Sequence, residues 1–410
     1  MHVILLTSGR IYGSAHGGED RFTNSFGNWL VNQKHKVTLM GIDFAGLRVR
    51  HLSYGTESNP SHRNQTKMPA NRGLAFKLAL TFRFLSYSSR IIIWMFQVLR
   101  ILSINLRSQV TLISAQDSGY TGLAAVIASK ILGVPVVISL HGIRYNEIES
   151  NPFLNETIKK IVLGVEGRLD RFTLKNANLV TVVSSSLIDY VKRVVPDKSV
   201  KVLPVAVKSN KFDYSKSSRD SVRSQLGIPQ QATVVGFIGR LSYEKNLFML
   251  LKSFASASIH HPHLMLVLVG QGMLEIELRR MVEKSNMQGK VIFCGVREDI
   301  GAILSSFDIF VLPSFIEGLS NALLEAMTSG RAIICSDIRG NRELIRNNIE
   351  GLLVDPNDST SLASNIQLLS RDESLRRRLG DNAKYRAREY SEEIVFPKIL
   401  DDYLMLIKIE

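Results

Sequence analysis

Two glutamates lie eight positions apart in the stretch "SFIEGLSNALLEAM", with Glu317 near its start and Glu325 inside the apolar run that follows. An exposed helix end would explain such acidity, and so would two carboxylates set around a ligand. Ser320 or Asn321 can cap a helix whose free backbone amides would point at a phosphate, and Gly318 would let the backbone pass close to it. The pair alone leaves both interpretations open.

Two basic residues lie five positions apart after an earlier strand-like run, in "FIGRLSYEKN". Arg240 offers a planar fork of N–H donors and Lys245 a mobile point charge, a combination that suits a diphosphate. A solvated basic loop would contain the same residues. By themselves they do not decide between a binding site and a surface turn.

Glycine and histidine residues follow strand-like runs in the first half of the chain. Gly17 and Gly18 precede a predicted helix, where backbone amides can approach an anion, although a flexible turn has the same composition. His141 follows "VVISL" and could hydrogen-bond a hydroxyl or exchange a proton, or could be purely structural. Neither "GSAHGGEDRF" nor "VGQGMLE" matches the G-x-G-x-x-G fingerprint, which argues against a nicotinamide or flavin enzyme.

Short apolar runs alternate with helix-length segments along most of the chain. The first half has "HVILLT", "KVTLMGI", "VTLIS", "VPVVISL", "LVTVVS" and "VKVLPV", and the second has "TVVGFIG", "LMLVLVG", "VIFCG", "IFVLPS" and "AIICS". Continuous apolar strands between helices are typical of parallel sheets covered on both faces. We therefore predict an α/β protein with two doubly wound, Rossmann-like domains, joined near residue 206. Ligands of such sheets bind beyond the carboxyl ends of the strands, so facing sheets would form one cleft.

The composition of the 410 residues is that of a globular protein, with 45% hydrophobic and 21% charged residues. The net charge of +14 predicts a polyanionic partner, either anionic lipid headgroups or nucleic acid, but the sequence contains no nucleic-acid-binding signature. Cys294 and Cys335 form neither a disulfide framework nor a metal cluster, which favours a reducing, cytoplasmic setting.

The N-terminus is typical of a first strand rather than a signal peptide, and no run reaches the ~20 apolar residues of a membrane span.

The whole series of motifs, in this order, resembles the retaining glycosyltransferases of family four, whose signature is a glutamate, seven residues and a second glutamate. Glu317 and Glu325 match that spacing. The resemblance extends over nearly the whole chain through the early glycine pair, His141, "GRL", "VGQG", "VLPS", "SGRAIICSDIRGNRE" and "EGLLVDPND". It implies the GT-B architecture. Residues 1–205 would form the acceptor-side domain, residues 206–389 the nucleotide-sugar-binding domain, and residues 390–410 a helix that returns to the first domain.

The resemblance also implies roles for single residues of the second domain. Arg240 and Lys245, next to Gly239, would neutralise the donor diphosphate, and Glu325 would hydrogen-bond the donor ribose. Glu317 would hold the donor sugar together with the backbone that follows it. That backbone segment consists of Gly318, Leu319, Ser320 and Asn321.

The first domain would complete the site across the cleft. His141 would contact the transferred sugar and help to align the acceptor, while Gly17 and Gly18 would lie under the phosphates and the acceptor. The implied catalytic set is Glu317, His141, Arg240 and Lys245. Two departures weaken the acceptor and hinge inferences: Asp20 stands where the family often has glutamate, and Val205 and Ala206 stand where it often has Asn-Gly.

The predicted function is transfer of a sugar, with retention, from a UDP-, GDP- or ADP-sugar to a glycan or lipid-linked acceptor in polysaccharide, glycolipid or lipid-linked oligosaccharide synthesis. No Asp-x-Asp motif occurs, so positive side chains rather than a metal would stabilise the leaving diphosphate, and no cofactor is expected. A catalytically idle GT-B scaffold that binds membrane or glycan is the alternative. A basic nucleic-acid binder is a third reading.

Residues 72–107 have the pattern of a helical segment with one basic and one apolar face. On a helical projection, arginines share one side of this segment and apolar residues the other. The arginines are Arg72, Arg83, Arg90, Arg100 and Arg107, and the apolar residues are Leu80, Phe84, Ile91, Met95, Val98 and Leu102. With Trp94, this pattern predicts a segment lying on the inner face of the cytoplasmic membrane, whereas two helices packed on the first sheet would show the same pattern.

Overall fold

A computed structural model describes residues 1–7, 18–43, 46–52, 95–142 and 155–408. These residues form two sheets flanked by helices. The strands of the first sheet are β1 (His2–Leu6), β2 (Lys36–Asp43), β3 (Gly46–Leu52), β4 (Leu112–Ala115), β5 (Val136–Leu140), β6 (Leu179–Val182) and β7 (Val200–Val202). Its helices are α1 (Gly18–Asn32), α2 (residues 95–107), α3 (Tyr120–Leu132), α4 (Glu156–Asn176) and α5 (Ile188–Val194).

The first sheet has the order β3-β2-β1-β4-β5-β6-β7. Every residue of β1 and β4 is buried, as expected for apolar strands covered on both faces. The edge strand β3 is not among the predicted strands and pairs with β2 in antiparallel register, from Asp43 opposite Gly46 to Val37 opposite Leu52. Only two residues separate β2 from β3, and a parallel return would need a dozen or more. The first sheet is therefore parallel, as predicted, except for this one antiparallel edge strand.

The second sheet has the order β10-β9-β8-β11-β12-β13, and all its pairs are parallel. Its strands are β8 (Thr233–Ile238), β9 (Leu264–Val269), β10 (Val291–Gly295), β11 (Ile309–Leu312), β12 (Ala332–Ser336) and β13 (Leu352–Val354). The helices that follow are α6 (Lys216–Gln225), α7 (Leu247–Ser258), α8 (Glu275–Lys284), α9 (Ile300–Ser306), α10 (Asn321–Thr328), α11 (Arg339–Leu344), α12 (Ser359–Arg371), α13 (Glu373–Ala387) and α14 (Glu392–Lys408). The short β13 is not among the predicted strands.

Each sheet has one point where the strand order reverses. In the first sheet this point lies between β1 and β4, and in the second it lies between β8 and β11. The connections leave the sheet on opposite faces there and open a crevice beyond the carboxyl ends of the strands. Most of the predicted site residues follow strands at or next to these two points.

The last helix, α14, packs against α1 of the first sheet. The ring of Phe396 lies 5.1 Å from that of Phe26 and 6.0 Å from that of Phe22. Tyr403 hydrogen-bonds Ser114 of β4 at 2.7 Å. Burial of a phenylalanine side chain contributes about 2 kcal/mol, so this helix ties the end of the chain to the first sheet.

The described part of the 72–107 segment, helix α2, does not keep the predicted division of faces. Val98 lies in the apolar core together with Ile101 and Ile104, whereas Met95 is exposed. The helix buries one stripe of side chains against the sheet. That stripe includes only some residues of the predicted apolar face, such as Val98. Residues 72–94, with Trp94, lie outside the described residues. Among the described helices, none is both long enough and apolar enough to cross a bilayer.

Candidate active site

The loops after β8 and β11 lie side by side at the switch point of the second sheet. Lys245 Nζ lies 2.7 Å from Glu317 Oε1, and Ser314 Oγ donates to the same oxygen at 2.6 Å. The backbone N–H of Phe315 donates to the carbonyl of Glu244 at 2.9 Å. These contacts join the two loops, so the predicted basic and acidic motifs form one cluster.

Local backbone geometry fixes the position of Lys245. It ends a short 3₁₀ turn and is followed by Asn246, whose φ of 54° is left-handed. The Asn246 side chain donates to the carbonyl of Pro356 at 2.7 Å, which holds that unusual conformation. The Lys245 side chain is 17% exposed, whereas that of Arg240 is 64% exposed and lies 3.9 Å from Glu244. Lys245 is thus held inside the cluster and Arg240 stands at its mouth.

Glycines allow the neighbouring loops to pack against these residues. A Cβ on Gly270, whose φ is +128°, would lie 1.9 Å from the carbonyl oxygen of Gly239. A Cβ on Gly340 would lie 2.1 Å from the carbonyl oxygen of Gly318, and one on Gly318 would lie 2.9 Å from that of His141. The backbones therefore approach more closely than any side chain would permit, and the Glu317 loop reaches the first sheet.

Helix α10 begins directly behind this loop. Ser320, one of the two predicted caps, is its N-cap, and its hydroxyl accepts from the N–H of Leu323 at 3.3 Å. Glu325 lies in the second turn, and its side chain is 6% exposed. The eight-residue spacing thus places Glu317 before the helix and Glu325 within it.

Glu325 pairs across the cleft with Arg21 of α1, which is a residue that the sequence did not single out. Burial raises the pKa of Glu325, although the positive charges of Arg21 and Lys211 oppose this shift. In the described part of the chain, Glu325 Oε2 and Arg21 Nε are buried without a hydrogen-bond partner. Buried polar atoms are almost always hydrogen-bonded, so the Oε2 of Glu325 indicates a place where a polar ligand fits.

His141 lies opposite, where β5 ends. Its Nε2 is 2.9 Å from Gln116 Oε1, and its ring centroid is 5.2 Å from that of Phe22. Gln116 Nε2 donates to Ser114 Oγ at 3.0 Å, which leaves Oε1 to accept from the histidine. Burial lowers the pKa of His141 to about 4, so its ring is neutral at pH 7 and its Nδ1 is an acceptor. The positioning chain Ser114–Gln116 has no motif that the sequence could reveal.

The glycine pair after β1 is only partly described. Gly17 lies outside the described residues, and Gly18 is the first residue of α1, three positions before Arg21. Asp20 is buried, and its Oδ1 accepts from the hydroxyl of Thr7 at 2.9 Å. The carboxylate that departs from the family pattern is therefore bound to the end of β1.

A second set of contacts joins the two sheets beside the cleft. Glu343, which follows Arg342 in α11, accepts from Ser184 Oγ at 2.8 Å and Ser185 Oγ at 2.6 Å. Arg339 of the same helix pairs with Asp189 of α5. With the Arg21–Glu325 pair, these contacts hold the carboxyl edges of both sheets together around the cluster.

Two family models match the chain. One is described as "Glycosyltransferase Family 4" and matches residues 16–211, and the other as "Glycosyl transferases group 1" and matches residues 218–386. The chain is also 30% identical over 268 residues to the UDP-Gal:alpha-D-GlcNAc-diphosphoundecaprenol alpha-1,3-galactosyltransferase of Escherichia coli. That alignment covers 63% of this chain and 66% of the relative, just under two thirds of its length.

Solved structures with the same architecture cover the whole chain. Sucrose-phosphate synthase of Thermosynechococcus elongatus superposes with a TM-score of 0.75 and 18% identity over 100% of both chains. HepE of Anabaena, solved with UDP-glucose, superposes with a TM-score of 0.70 and 20% identity over 98% of both chains. The predicted architecture of two Rossmann-like sheets facing across a cleft, that of the GT-B fold, is confirmed.

Proposed function

The chain belongs to glycosyltransferase family four, and from that premise we propose that it transfers a sugar from a UDP-sugar to a lipid-linked glycan acceptor, with retention. The observation that carries this proposal is the buried Glu325 carboxylate, whose Oε2 has no hydrogen-bond partner among the described residues and which follows Glu317 of the Lys245–Glu317 pair by eight positions. The E. coli relative is named for a UDP-galactose donor and a diphosphoundecaprenol acceptor, and HepE was solved with UDP-glucose. Both names favour a UDP donor over a GDP or ADP donor.

The donor would lie across the switch point of the second sheet. In this proposal Arg240 and Lys245, beside Gly239, neutralise the diphosphate, and the Oε2 of Glu325 accepts a hydrogen bond from the ribose. Glu317, oriented by Lys245 and Ser314, holds the donor sugar. The backbone amides that would assist it belong to Gly318, Leu319, Ser320 and Asn321.

The reaction needs a stabilised leaving group because glycosyl transfer passes through a state resembling an oxocarbenium ion. Lys245 and Arg240 supply positive charge where the diphosphate gains negative charge. The acceptor hydroxyl attacks on the face from which the phosphate leaves and gives its proton to that phosphate. Glu317 then has an orienting and electrostatic role. Contact between the two sheets excludes water, which protects the donor from hydrolysis.

His141 would bind a sugar hydroxyl rather than move a proton. Its low pKa keeps the ring neutral at physiological pH, and with Nε2 donating to Gln116 its Nδ1 is an acceptor. Gly17 and Gly18 would lie beneath the phosphates and the acceptor, as the family resemblance implies.

A panel of UDP-, GDP- and ADP-sugars tests the donor assignment. We expect a UDP-sugar to raise the apparent melting temperature, because a ligand at 100 times its Kd stabilises the folded state by about 2.7 kcal/mol. The same ligand should stabilise a Glu325→Ala variant less. Thermal shift assays that show no stabilisation by any of these sugars would contradict the assignment. Stabilisation without transfer to any lipid-linked acceptor would instead favour the idle scaffold.

The acceptor would be reached at the inner face of the cytoplasmic membrane through residues 72–107. Support comes from the net charge of +14 and from α2, which exposes Phe96, Leu99 and Leu106 beside Arg100 and Arg107. Apolar and basic side chains exposed on one helix suit an anionic membrane surface. We expect the protein to cosediment with vesicles that contain phosphatidylglycerol at moderate salt. Its recovery in the supernatant would refute the membrane contact.

A further inference from the structure

A cavity of about 660 Å³ lies at the amino edge of the first sheet, opposite the edge that bears the candidate active site. It is bounded by the start of β1 at His2, the start of β2 at Lys36 and the end of β3 at Leu52. The end of α1 with the turn that follows it, and helix α2, form its other walls. Because β1 runs for five residues from this edge to the other, the cavity is roughly 15 Å from the catalytic cleft. It therefore belongs to a different site.

The lining of this cavity is strongly basic. Its charged and titratable side chains are His2, Lys34, His35, Lys36, His51, Arg100 and Arg107. No carboxylate is present among the described residues that line it. A recess lined by charges of one sign concentrates the electric field and attracts an anion, which would reduce the repulsion between the cations.

Several of these side chains are held in place by hydrogen bonds. His2 Nε2 lies 3.0 Å from Thr38 Oγ1, which in turn lies 3.0 Å from His51 Nδ1. Lys36 Nζ donates to Ser108 Oγ at 2.5 Å. Burial lowers the pKa of His51, and the charges of Arg100, Lys36 and Arg107 lower it further. The cations are therefore close enough to His51 to disfavour its protonation. A bound anion would offset their charge and favour the protonated ring.

Helix α2 connects the cavity to an exposed apolar surface. Arg100, Ser103 and Arg107 line the cavity at positions i, i+3 and i+7, which share one face of the helix. Phe96, one turn before Arg100, continues that face and is 57% exposed. Leu99 and Leu106, at 60% and 89% exposure, lie on the adjacent face. A ligand in the cavity would thus have apolar side chains beside it.

We propose that this cavity binds the phosphate headgroup of an anionic phospholipid, with Arg100 and Arg107 on the phosphate and the exposed apolar side chains of α2 beside the acyl chains. The inference rests on the membrane contact proposed above and is independent of the donor and acceptor assignments. Free phosphate shares the headgroup's charge. However, only a lipid explains why the basic cavity adjoins exposed Phe96 and Leu99.

Vesicle binding by the protein tests the proposal without any sugar donor. Wild-type protein should bind vesicles of phosphatidylcholine and phosphatidylglycerol but not of phosphatidylcholine alone. The double variant Arg100→Gln/Arg107→Gln should bind about 30-fold more weakly, since each basic residue near an anionic surface contributes about fivefold. A melting curve on each sample verifies that the variant is folded.

A charge-matched control distinguishes lipid binding in the cavity from nonspecific attraction of a positively charged protein to an anionic membrane. Arg171→Gln/Arg193→Gln removes the same charge from exposed positions on α4 and α5, outside the cavity, and should weaken binding much less. Equal loss in both double variants would overturn the cavity as the binding site. Wild-type protein that binds inorganic phosphate but no anionic vesicles would overturn the lipid assignment. The vesicle assay measures no sugar transfer, so its result can be interpreted even if the proposed transferase activity is not found.

Discussion

Replacement of Lys245 with alanine is expected to lower the turnover of sugar transfer by about 10²–10³-fold, as removal of one preorganised electrostatic donor commonly does. Lys245 is held by Glu317 at 2.7 Å and by the left-handed Asn246 that follows it, so its charge is in place before the donor arrives. Arg240 is largely exposed and would have to reorient, which makes it a weaker substitute. Initial rates with a UDP-sugar donor and a lipid-linked acceptor measure the effect.

A control is needed because the substitution also leaves Glu317 without its cation. Lys252→Ala removes an exposed lysine from α7 in the same half of the chain and should keep wild-type turnover. The apparent melting temperature of each variant shows whether a loss of turnover comes from the missing side chain or from unfolding. Turnover within a few-fold of wild type in a folded Lys245→Ala variant would refute the leaving-group role.

The sequence predicts most strands of both sheets and the loops that carry the cluster. Runs such as "IFVLPS" and "TVVGFIG" are apolar throughout, and in doubly wound sheets ligand-binding residues follow such strands. The chain does place Arg240, Lys245 and Glu317 after neighbouring strands of one sheet. Strand β3 was missed because an edge strand in a tight hairpin carries polar residues and lacks a continuous apolar run.

Other features depend on contacts that no local pattern encodes. Arg21 and Glu325 are 304 positions apart in sequence, and their pairing follows from how α1 and α10 meet across the cleft. The sequence predicts that His141 lies at the cleft, but its neighbours in sequence do not determine its protonation state. In the structure Phe22 and Gln116 lie against the half-buried ring, and burial lowers its pKa to about 4, which favours the neutral form at pH 7.

The Glu325→Gln variant is expected to bind the UDP-sugar about 10- to 100-fold more weakly than wild type. A hydrogen bond to a charged group contributes about 1.5–3 kcal/mol, and glutamine replaces the carboxylate with a neutral amide of the same shape. The Oε2 that would accept a hydrogen bond from the ribose is buried and has no partner in the described part of the chain. Calorimetric titration measures the change. Glu283→Gln, on the exposed side of α8, is the matched control and should bind normally.

Arg21 is expected to act through Glu325, because its guanidinium holds the other carboxylate oxygen. An Arg21→Gln variant should therefore weaken donor binding by itself, yet add little when Glu325 is already glutamine. Contacting residues commonly show coupling of about 0.5–3 kcal/mol in such a cycle. Strict additivity of the two substitutions would mean that Arg21 contacts the donor directly. Wild-type affinity in both Glu325→Gln and Arg240→Ala would instead remove the donor from this cleft, since one variant tests the ribose end and the other the diphosphate.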